Sequence, residues 1–144
     1  MVSVVRSALL PHSSRQMFDL VNDIEQYPSF LPHCKSARVL SSSDGELVGE
    51  LSLGRAGIRQ RFVTRNRLRP HETIDMELVE GDFSHFEAQW RFESLGENSC
   101  KVSLQMDFEF RSAIVNFAAR GLFGDTAGVM VDAMVARAGA VYGQ

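Results

Sequence analysis

The chain has 144 residues, of which 44% are apolar and 23% charged, values typical of one soluble globular domain covering residues 1–144. The net charge of −3 argues against a strongly basic nucleic-acid binder, so no DNA partner is expected. No signal-peptide pattern opens the sequence, and no run of about 18 apolar residues could span a membrane. Cys34 and Cys100 lack C-x-x-C spacing, which predicts two buried thiols in a reducing cytoplasm.

The N-terminal part of the sequence predicts a strand followed by two short helices. The strand is expected over residues 3–10 and ends at Pro11. Ser13 is a plausible N-cap, with Gln16 three residues later as its capping-box partner. Helical spacing then places four apolar residues on one face: Met17, Leu20, Val21 and Ile24.

Residues 21–34 read V-N-D-I-E-Q-Y-P-S-F-L-P-H-C and are the most informative stretch. A helical run is expected to end at Tyr27, because the two prolines that follow favour a stiff loop over a helix. Such a loop would hold Tyr27, Phe30 and Leu31 near the surface, where large apolar side chains need a partner. The domain's own core, a lipophilic ligand and a partner surface are all open alternatives.

The middle of the chain predicts an antiparallel sheet with one buried face. Five strands are expected, over residues 47–53, 58–69, 73–79, 84–95 and 99–110, separated by turns rich in glycine, proline and asparagine. In the last two strands apolar residues alternate with polar ones, as in a strand with one wet face. The apolar positions are Phe86, Ala88, Trp90, Phe92, Val102, Leu104, Met106, Phe108 and Phe110.

Residues 112–142 predict a long C-terminal helix, the element best able to cover the apolar face of the sheet. Gly121, Gly124 and Gly128 weaken its propensity and favour a kink or break. Residues 114–123 are apolar on more than one side and are interpreted as a movable lid that touches a membrane. A twisted sheet wrapped around such a helix leaves a cleft suited to an apolar ligand.

Signals for catalysis and metal binding are absent from the sequence. There is no H-E-x-x-H, G-x-S-x-G or G-x-G-x-x-G pattern in a suitable context. The histidines show no paired spacing of the kind that zinc ligands need. They are His12, His33, His71 and His85. We therefore expect a binding module with no catalytic residues and no metal.

A stripe of arginines is predicted on the outer face of the strand at residues 58–69. It consists of Arg59, Arg61, Arg65, Arg67 and Arg69. The stripe suits either phosphate contacts with RNA or anionic lipid, or ordinary cross-strand ion pairs.

Turn lengths distinguish these two interpretations of the stripe. If the Pro-His-Glu turn has three residues, Arg65 lies opposite Glu77. If the Gly-Arg-Ala-Gly turn has four, Arg61 lies opposite Glu50. Such pairing would neutralise most of the stripe and leave three arginines for an anionic surface: Arg55, Arg59 and Arg69.

The inner face of the same strand carries Gln60, Thr64 and Asn66 among apolar residues. Polar side chains on a buried face need partners, so they form either a core network or the polar points of a ligand cavity. Several aromatic residues are likewise either core or ligand-contacting. They are Trp90, Phe86, Phe108, Phe117 and Phe123.

With these residues in view, the sequence resembles the START-like helix-grip proteins of the coenzyme-Q-binding and polyketide-cyclase-like group. That group includes the bacterial ribosome association toxins. The most specific matching segments are residues 21–34 and the closing V-D-A-M-V-A-R-A-G-A-V-Y-G, residues 131–143. His33 stands where the family usually has tryptophan, and Met134 where it usually has phenylalanine. The resemblance implies an α+β fold in which a curved antiparallel sheet wraps around the C-terminal helix.

The resemblance also implies a hydrophobic cavity that binds an isoprenoid quinone such as ubiquinone without chemistry, in support of respiration. This is the first functional hypothesis, with the protein in the cytoplasm or at the inner-membrane surface. Gln60 or Asn66 would orient the head group. The proposed ligand contacts are Tyr27, Phe30, Leu31, Pro32, Gln60, Phe62, Asn66, Trp90, Phe117 and Phe123.

Two other functions are implied by the same resemblance. The alternative is a ribosome association toxin that binds the large (50S) ribosomal subunit and blocks subunit association, with contacts from Arg55, Arg59 and Arg69. A polyketide cyclase or dehydratase is less favoured, because such chemistry needs a tuned acid or base in the cavity and the assigned inner-face positions are neutral.

Overall fold

Seven antiparallel strands form one curved sheet covered by a C-terminal helix in the computed structural model, which describes residues 1–55, 57–111 and 126–143. The strands lie in the order β1-β7-β6-β5-β4-β3-β2. The α+β architecture predicted from the sequence is confirmed. Its elements are β1 (Val2–Leu10), α1 (Ser14–Asn22), a 3-10 helix (Ile24–Ser29), β2 (Cys34–Ser43), β3 (Glu46–Arg55), β4 (Ile58–Arg69), β5 (Thr73–Glu80), β6 (Phe83–Gly96), β7 (Ser99–Phe110) and α2 (Thr126–Tyr142).

Helix α1 begins with the predicted capping box. The backbone N–H of Gln16 donates to Ser13 Oγ at 3.1 Å, and the backbone N–H of Ser13 donates to Gln16 Oε1 at 3.0 Å. Two donors that a helix start leaves without partners are thereby satisfied. Met17, Leu20 and Val21 are buried, so the predicted apolar face packs inward.

The segment after α1 corrects the prediction of a loop that begins at Tyr27. A 3-10 helix continues through Pro28 to Ser29, because the φ angle fixed by proline is compatible with 3-10 geometry. The N–H of Leu31 closes the turn by donating to the Tyr27 carbonyl at 2.7 Å. Tyr27 and Leu31 are buried in the protein's own core, at 3% and 5% exposure.

Strand β2, at one edge of the sheet, was not predicted from the sequence. Its Ser-rich composition hides the alternation, and register shifts after Cys34 and after Val39 break the period of two. Gly49 on the neighbouring β3 allows the 3-10 helix to approach closely, since a Cβ there would overlap Ile24 Cδ1. The helical segment therefore rests directly on the inner face of the sheet.

The register of β4 confirms one predicted turn and corrects the other. Arg65 lies opposite Glu77, as the three-residue turn predicts. The turn between β3 and β4 has two central residues and not four, so Arg61 lies opposite Ser52 instead of Glu50. A shift of two residues keeps every side chain on its own face of the sheet.

Helix α2 packs against β1, β7 and α1. Its buried side includes Ala127, Val131, Met134 and Ala138, which follow helical spacing. The predicted helical segment at residues 112–125, with the lid interpretation, Gly121 and Gly124, lies outside the described residues. Among the described helices, none is long and apolar enough to cross a membrane.

Candidate functional site

An apolar cavity of about 100 Å³ lies between the inner face of the sheet and α2. Strands β3 to β7 form its floor and walls, helix α2 contributes one side, and the segment after the 3-10 helix forms its rim. Its lining residues are Leu31, Pro32, His33, Leu51, Leu53, Phe62, Met76, Phe83, Phe86, Ala88, Trp90, Leu104, Met106, Phe108, Thr126, Val129 and Met130. Such a lining favours an apolar ligand.

Interlocking aromatic rings hold one wall of this cavity in place. Phe62 and Phe83 meet edge to face, with ring centroids 5.8 Å apart and planes at 86°. Phe83 in turn stacks on Phe110, with centroids at 4.6 Å and planes at 23°. Edge-to-face and offset-stacked contacts are the preferred aromatic geometries, so this wall is well packed around a void and not collapsed into it.

His33 forms part of the cavity rim. Its φ of 67° lies in the left-handed region, and its carbonyl accepts a hydrogen bond from the N–H of Gly54 at 2.9 Å. The residue is exposed, so its imidazole is in contact with water and is not a buried base. Thr126, another of the described lining residues, has a hydroxyl side chain and is buried.

A second, smaller cavity of about 20 Å³ adjoins the first and has a polar side. The two cavities share four lining residues: Leu51, Met76, Trp90 and Met130. The polar residues of the smaller cavity are Asn22, Tyr27, Thr64 and Asn66. Thr64 Oγ1 donates to Asn66 Oδ1 at 2.8 Å, and both residues are buried.

The structure divides the ligand contacts suggested by the sequence into several groups. Leu31, Pro32, Phe62 and Trp90 line the larger cavity, whereas Tyr27 and Asn66 line the smaller one.

The remaining suggested contacts lie elsewhere. Phe30 lies outside both cavities, beneath the guanidinium of Arg137, which is 5.1 Å from its ring centroid. Gln60 lines neither cavity. Phe117 and Phe123 lie outside the described residues.

Sequence reasoning underestimated how much of the cavity comes from the regular alternation of the strands. Phe86, Trp90 and Phe108 were weighed as core or ligand contacts, and all three line the cavity while being buried. Lining residues that were not proposed include Phe83, Leu104 and Met106. For Leu104 and Met106 the inward alternation of β7 was the available signal, but alternation does not distinguish a filled core from a cavity wall. Phe83 is out of phase with the inward residues of β6, because the register shifts between Phe83 and His85.

Ion pairs neutralise the centre of the arginine stripe. Arg61 contacts Glu50 at 2.6 Å and Glu80 at 3.2 Å. Arg65 contacts Glu46 at 3.3 Å and Glu77 at 3.4 Å, and Arg67 also reaches Glu77 at 3.6 Å. The pairing of Arg61 with Glu50 is diagonal, which long side chains permit in spite of the shifted register.

The arginines at the ends of the stripe differ from the central ones in their partners. Arg59 donates from Nε to Ser52 Oγ at 2.8 Å, a neutral partner that leaves its charge uncompensated. Neither Arg59 nor Arg69 forms an ion pair with another residue of the described ranges. The side chain of Arg55 is not among those described.

Several pKa values respond to this environment. Burial raises the pKa of the Tyr27 hydroxyl, with smaller contributions from Cys34 and Asp23. The hydrogen bond from Arg61 lowers the pKa of the Glu50 carboxyl. Both cysteines are free and buried, as predicted, and burial raises the pKa of each thiol.

Among the described residues, no group of three or more histidine, cysteine or acidic side chains could hold a metal.

A curved antiparallel sheet that encloses an apolar cavity against a C-terminal helix defines a START-like helix-grip fold. The aromatase/cyclase Zhui from Streptomyces sp. R1128 shares this fold, with a TM-score of 0.84 over 95% of this chain and 93% of that one at 17% identity. The chain belongs to the polyketide cyclase/dehydrase and lipid transport family, whose sequence profile matches residues 10–135.

Two relatives illustrate the range of this family. The ribosome association toxin RatA of Vibrio cholerae is 42% identical over 144 residues, which is 100% of both chains. The mitochondrial coenzyme Q-binding protein COQ10 homolog B of Xenopus laevis is 31% identical over 142 residues, covering 96% of this chain and 58% of the relative. The group recognised from the sequence is confirmed.

Proposed function

We propose that this protein associates with the ribosome, binding the large subunit and opposing subunit association. The observation that carries this proposal is its 42% identity to a ribosome association toxin along the whole of both chains. The quinone-binding hypothesis, placed first from the sequence, has weaker support because its relative is more distant and is matched over only 58% of its length.

The outer face of β4 is the surface we propose for ribosome contact. Arg59 and Arg69 are exposed, and their charges are not compensated by acids in the described part of the chain. Ribosomal RNA presents phosphates, and binding that neutralises phosphates weakens steeply with salt. With Arg55 as a third contact, affinity should fall about 20- to 40-fold between 50 and 200 mM salt.

Co-sedimentation with purified large subunits at increasing salt tests this proposal. The double variant Arg59→Gln/Arg69→Gln removes two proposed phosphate contacts. The slope of log K against log salt concentration should therefore become shallower by about two. Arg65→Gln is the matched control from the same strand, because two carboxylates already neutralise that charge. No co-sedimentation at low salt would refute ribosome binding, whereas equal behaviour of both variants would refute only the role of these arginines.

A second candidate function is binding of a compact apolar ligand in the cavity beneath α2. Its support is the aromatic-lined space of about 100 Å³. Cavities of roughly 150 Å³ hold a benzene-sized molecule, whereas typical ligand pockets occupy about 300–1,000 Å³. The observed space therefore suits a small apolar group, and ubiquinone would require the cavity to widen.

Lipid analysis of the purified protein tests this second function. Protein made in a quinone-producing host would be extracted with organic solvent, and the extract compared with that of Trp90→Ala made in parallel. A stoichiometric apolar compound lost in the variant supports ligand binding, and a quinone among such compounds supports the ubiquinone hypothesis. We propose binding and not catalysis, since His33, the titratable side chain among the described lining residues, is exposed at the rim.

A further inference from the structure

The edge strand β2 is protected against pairing with another chain. The unpaired backbone groups of an edge strand can pair with a foreign strand, and proteins counter this with bulges, charged residues or a covering segment. Strand β2 has register shifts after Cys34 and after Val39, and it carries two charges, Lys35 and Arg38. The 3-10 helix packs beside β2, and Glu25 of that helix accepts a hydrogen bond from the Val39 N–H at 3.2 Å.

The opposite edge strand, β1, has little of this protection. It pairs with β7 in one unbroken register along its whole length, without a bulge. Its one charged residue is Arg6, which lies opposite the buried Leu104 and therefore on the inner face. Val5 and Leu9 alternate onto the outer face and are 66% and 72% exposed. A long, regular and largely apolar edge of this kind is a template for another β-strand.

We propose that β1 is a self-association edge, at which the β1 strands of two copies pair antiparallel around a two-fold axis at Ser7 and form one continuous sheet. In this register Val5 of one copy lies opposite Leu9 of the other, and the symmetry gives the same pair twice. The two most exposed apolar side chains of the strand thereby cover one another, and such cross-strand apolar pairs stabilise a sheet.

The sequence of β1 favours this register over its neighbours. An axis at Arg6 would place two arginines opposite each other, and like charges in that position are destabilising. An axis at Val5 would leave Leu9 beyond the end of the partner's β1. An axis at Ala8 would place Val5 opposite Pro11, which has no N–H to donate. The strand is therefore self-complementary about the proposed axis, and a second copy of this chain is the occupant that fits the edge.

The size of the contact sets its strength. Residues 4–10 of each copy form the pairing and span about 24 Å at roughly 3.4 Å per residue. A contact one strand wide buries less than the roughly 800 Å² per partner of a standard stable interface. We therefore expect a dimer that dissociates reversibly, with a Kd on the order of 0.1 mM.

Sedimentation equilibrium of the wild type between about 10 µM and 1 mM tests self-association, because this range brackets the expected Kd. The average mass should rise with concentration towards twice the monomer mass. Leu9→Lys should weaken dimerisation by about tenfold or more, since it replaces an apolar contact with a charge twice in each dimer. Leu40→Lys is the matched control on the other edge strand, where Leu40 is 44% exposed, and it should change the Kd by less than about twofold.

The outcomes of this experiment separate the possible occupants of the edge. A wild type that stays monomeric up to about 1 mM would overturn self-pairing and leave only a strand from another protein as an occupant. A dimer that is weakened by Leu40→Lys and not by Leu9→Lys would overturn the assignment to β1. Because both positions are exposed, neither variant should unfold the protein, and circular dichroism checks this.

Cysteine cross-linking tests the register itself. Residues that meet on the axis have Cα atoms about 4.5–5.5 Å apart, within the range of a disulfide, so mild oxidation should cross-link Ser7→Cys. Ser3→Cys is the matched control from the same face, because its two copies would lie about 27 Å apart. The native Cys34 and Cys100 are buried and should not compete. Equal cross-linking of both variants would overturn the antiparallel register.

Discussion

Tyr27→Phe should destabilise the protein at neutral pH and make it less sensitive to alkali. The Tyr27 hydroxyl donates to the Val21 carbonyl near the C-terminal end of α1, where carbonyls have no partner within the helix. Removing the hydroxyl leaves a buried acceptor unpaired, which costs about 1–3 kcal/mol. At roughly 3 °C per kcal/mol for a chain of this size, Tm should fall by about 3–9 °C.

The pH dependence follows from the raised pKa of this residue. Burial raises the pKa of Tyr27 above its ordinary value of 10.0, so the folded state keeps its proton longer than the unfolded state does. The stabilisation is fully present below pH 10 and is lost at about 1.4 kcal/mol per pH unit above it. If the hydroxyl contributes about 2 kcal/mol at pH 7, wild type and Tyr27→Phe should become equally stable near pH 11.5, by the same slope.

Urea unfolding at half-unit steps from pH 7 to 11.5 measures both effects. Tyr142→Phe is the matched control, since the other tyrosine is more exposed and its hydroxyl donates to the Gln16 carbonyl at 3.0 Å near the surface. That variant should lose less than about 1 kcal/mol. Parallel pH profiles for wild type and Tyr27→Phe, or a loss below about 0.5 kcal/mol at pH 7, would refute the reasoning.

Three further predictions concern single groups. Arg61 holds the pKa of Glu50 below its ordinary value of 4.5, so the stabilisation from the Glu50 carboxylate is present above pH 4.5 and is lost as the pH falls below it. The stability difference between wild type and Glu50→Gln should therefore shrink as pH falls, and a constant difference would contradict this. The Cys100 thiol, at 0% exposure and with a raised pKa, should not react with a disulfide reagent at pH 8 until the protein unfolds; modification of the native protein, mapped by mass spectrometry, is the contrary result. Thr73→Val should raise the free energy of unfolding by about 1 kcal/mol, because Thr73 Oγ1 is buried without a partner among the described residues; a lower denaturation midpoint would argue for a partner.

Alternating patterns allowed most of the sheet to be predicted from the sequence. In β6 and β7, inward residues such as Phe86 and Leu104 recur every second position, and the observed register pairs the two strands over nearly their whole length. The capping box at Ser13 was equally readable, because it depends on residues only three apart. Local chemistry decides such features, so a single sequence suffices.

Features that depend on tertiary contacts were harder to predict from the sequence. Pro28 lies within a 3-10 helix because the turn tolerates its fixed φ, whereas proline rules alone favour a loop. Strand β2 contains register shifts that remove the period-two signal. The cavity depends on residues far apart in sequence, such as Leu51, Trp90 and Met130, lining the same space, and no local pattern encodes such a placement.

Strand β4 separates the two proposed functions by its alternation. Its outward arginines, including Arg59 and Arg69, form the surface proposed for ribosome contact, while Phe62 and Asn66 line the cavities on the opposite face. Because successive side chains of a strand point to opposite faces, one strand can serve both surfaces without sharing a residue. Variants of the arginines should therefore change salt-dependent sedimentation without changing the apolar compounds extracted from the protein, and Trp90→Ala should do the reverse. A change of both properties by either variant would instead indicate a coupling free energy between the two faces, which must act equally in both directions.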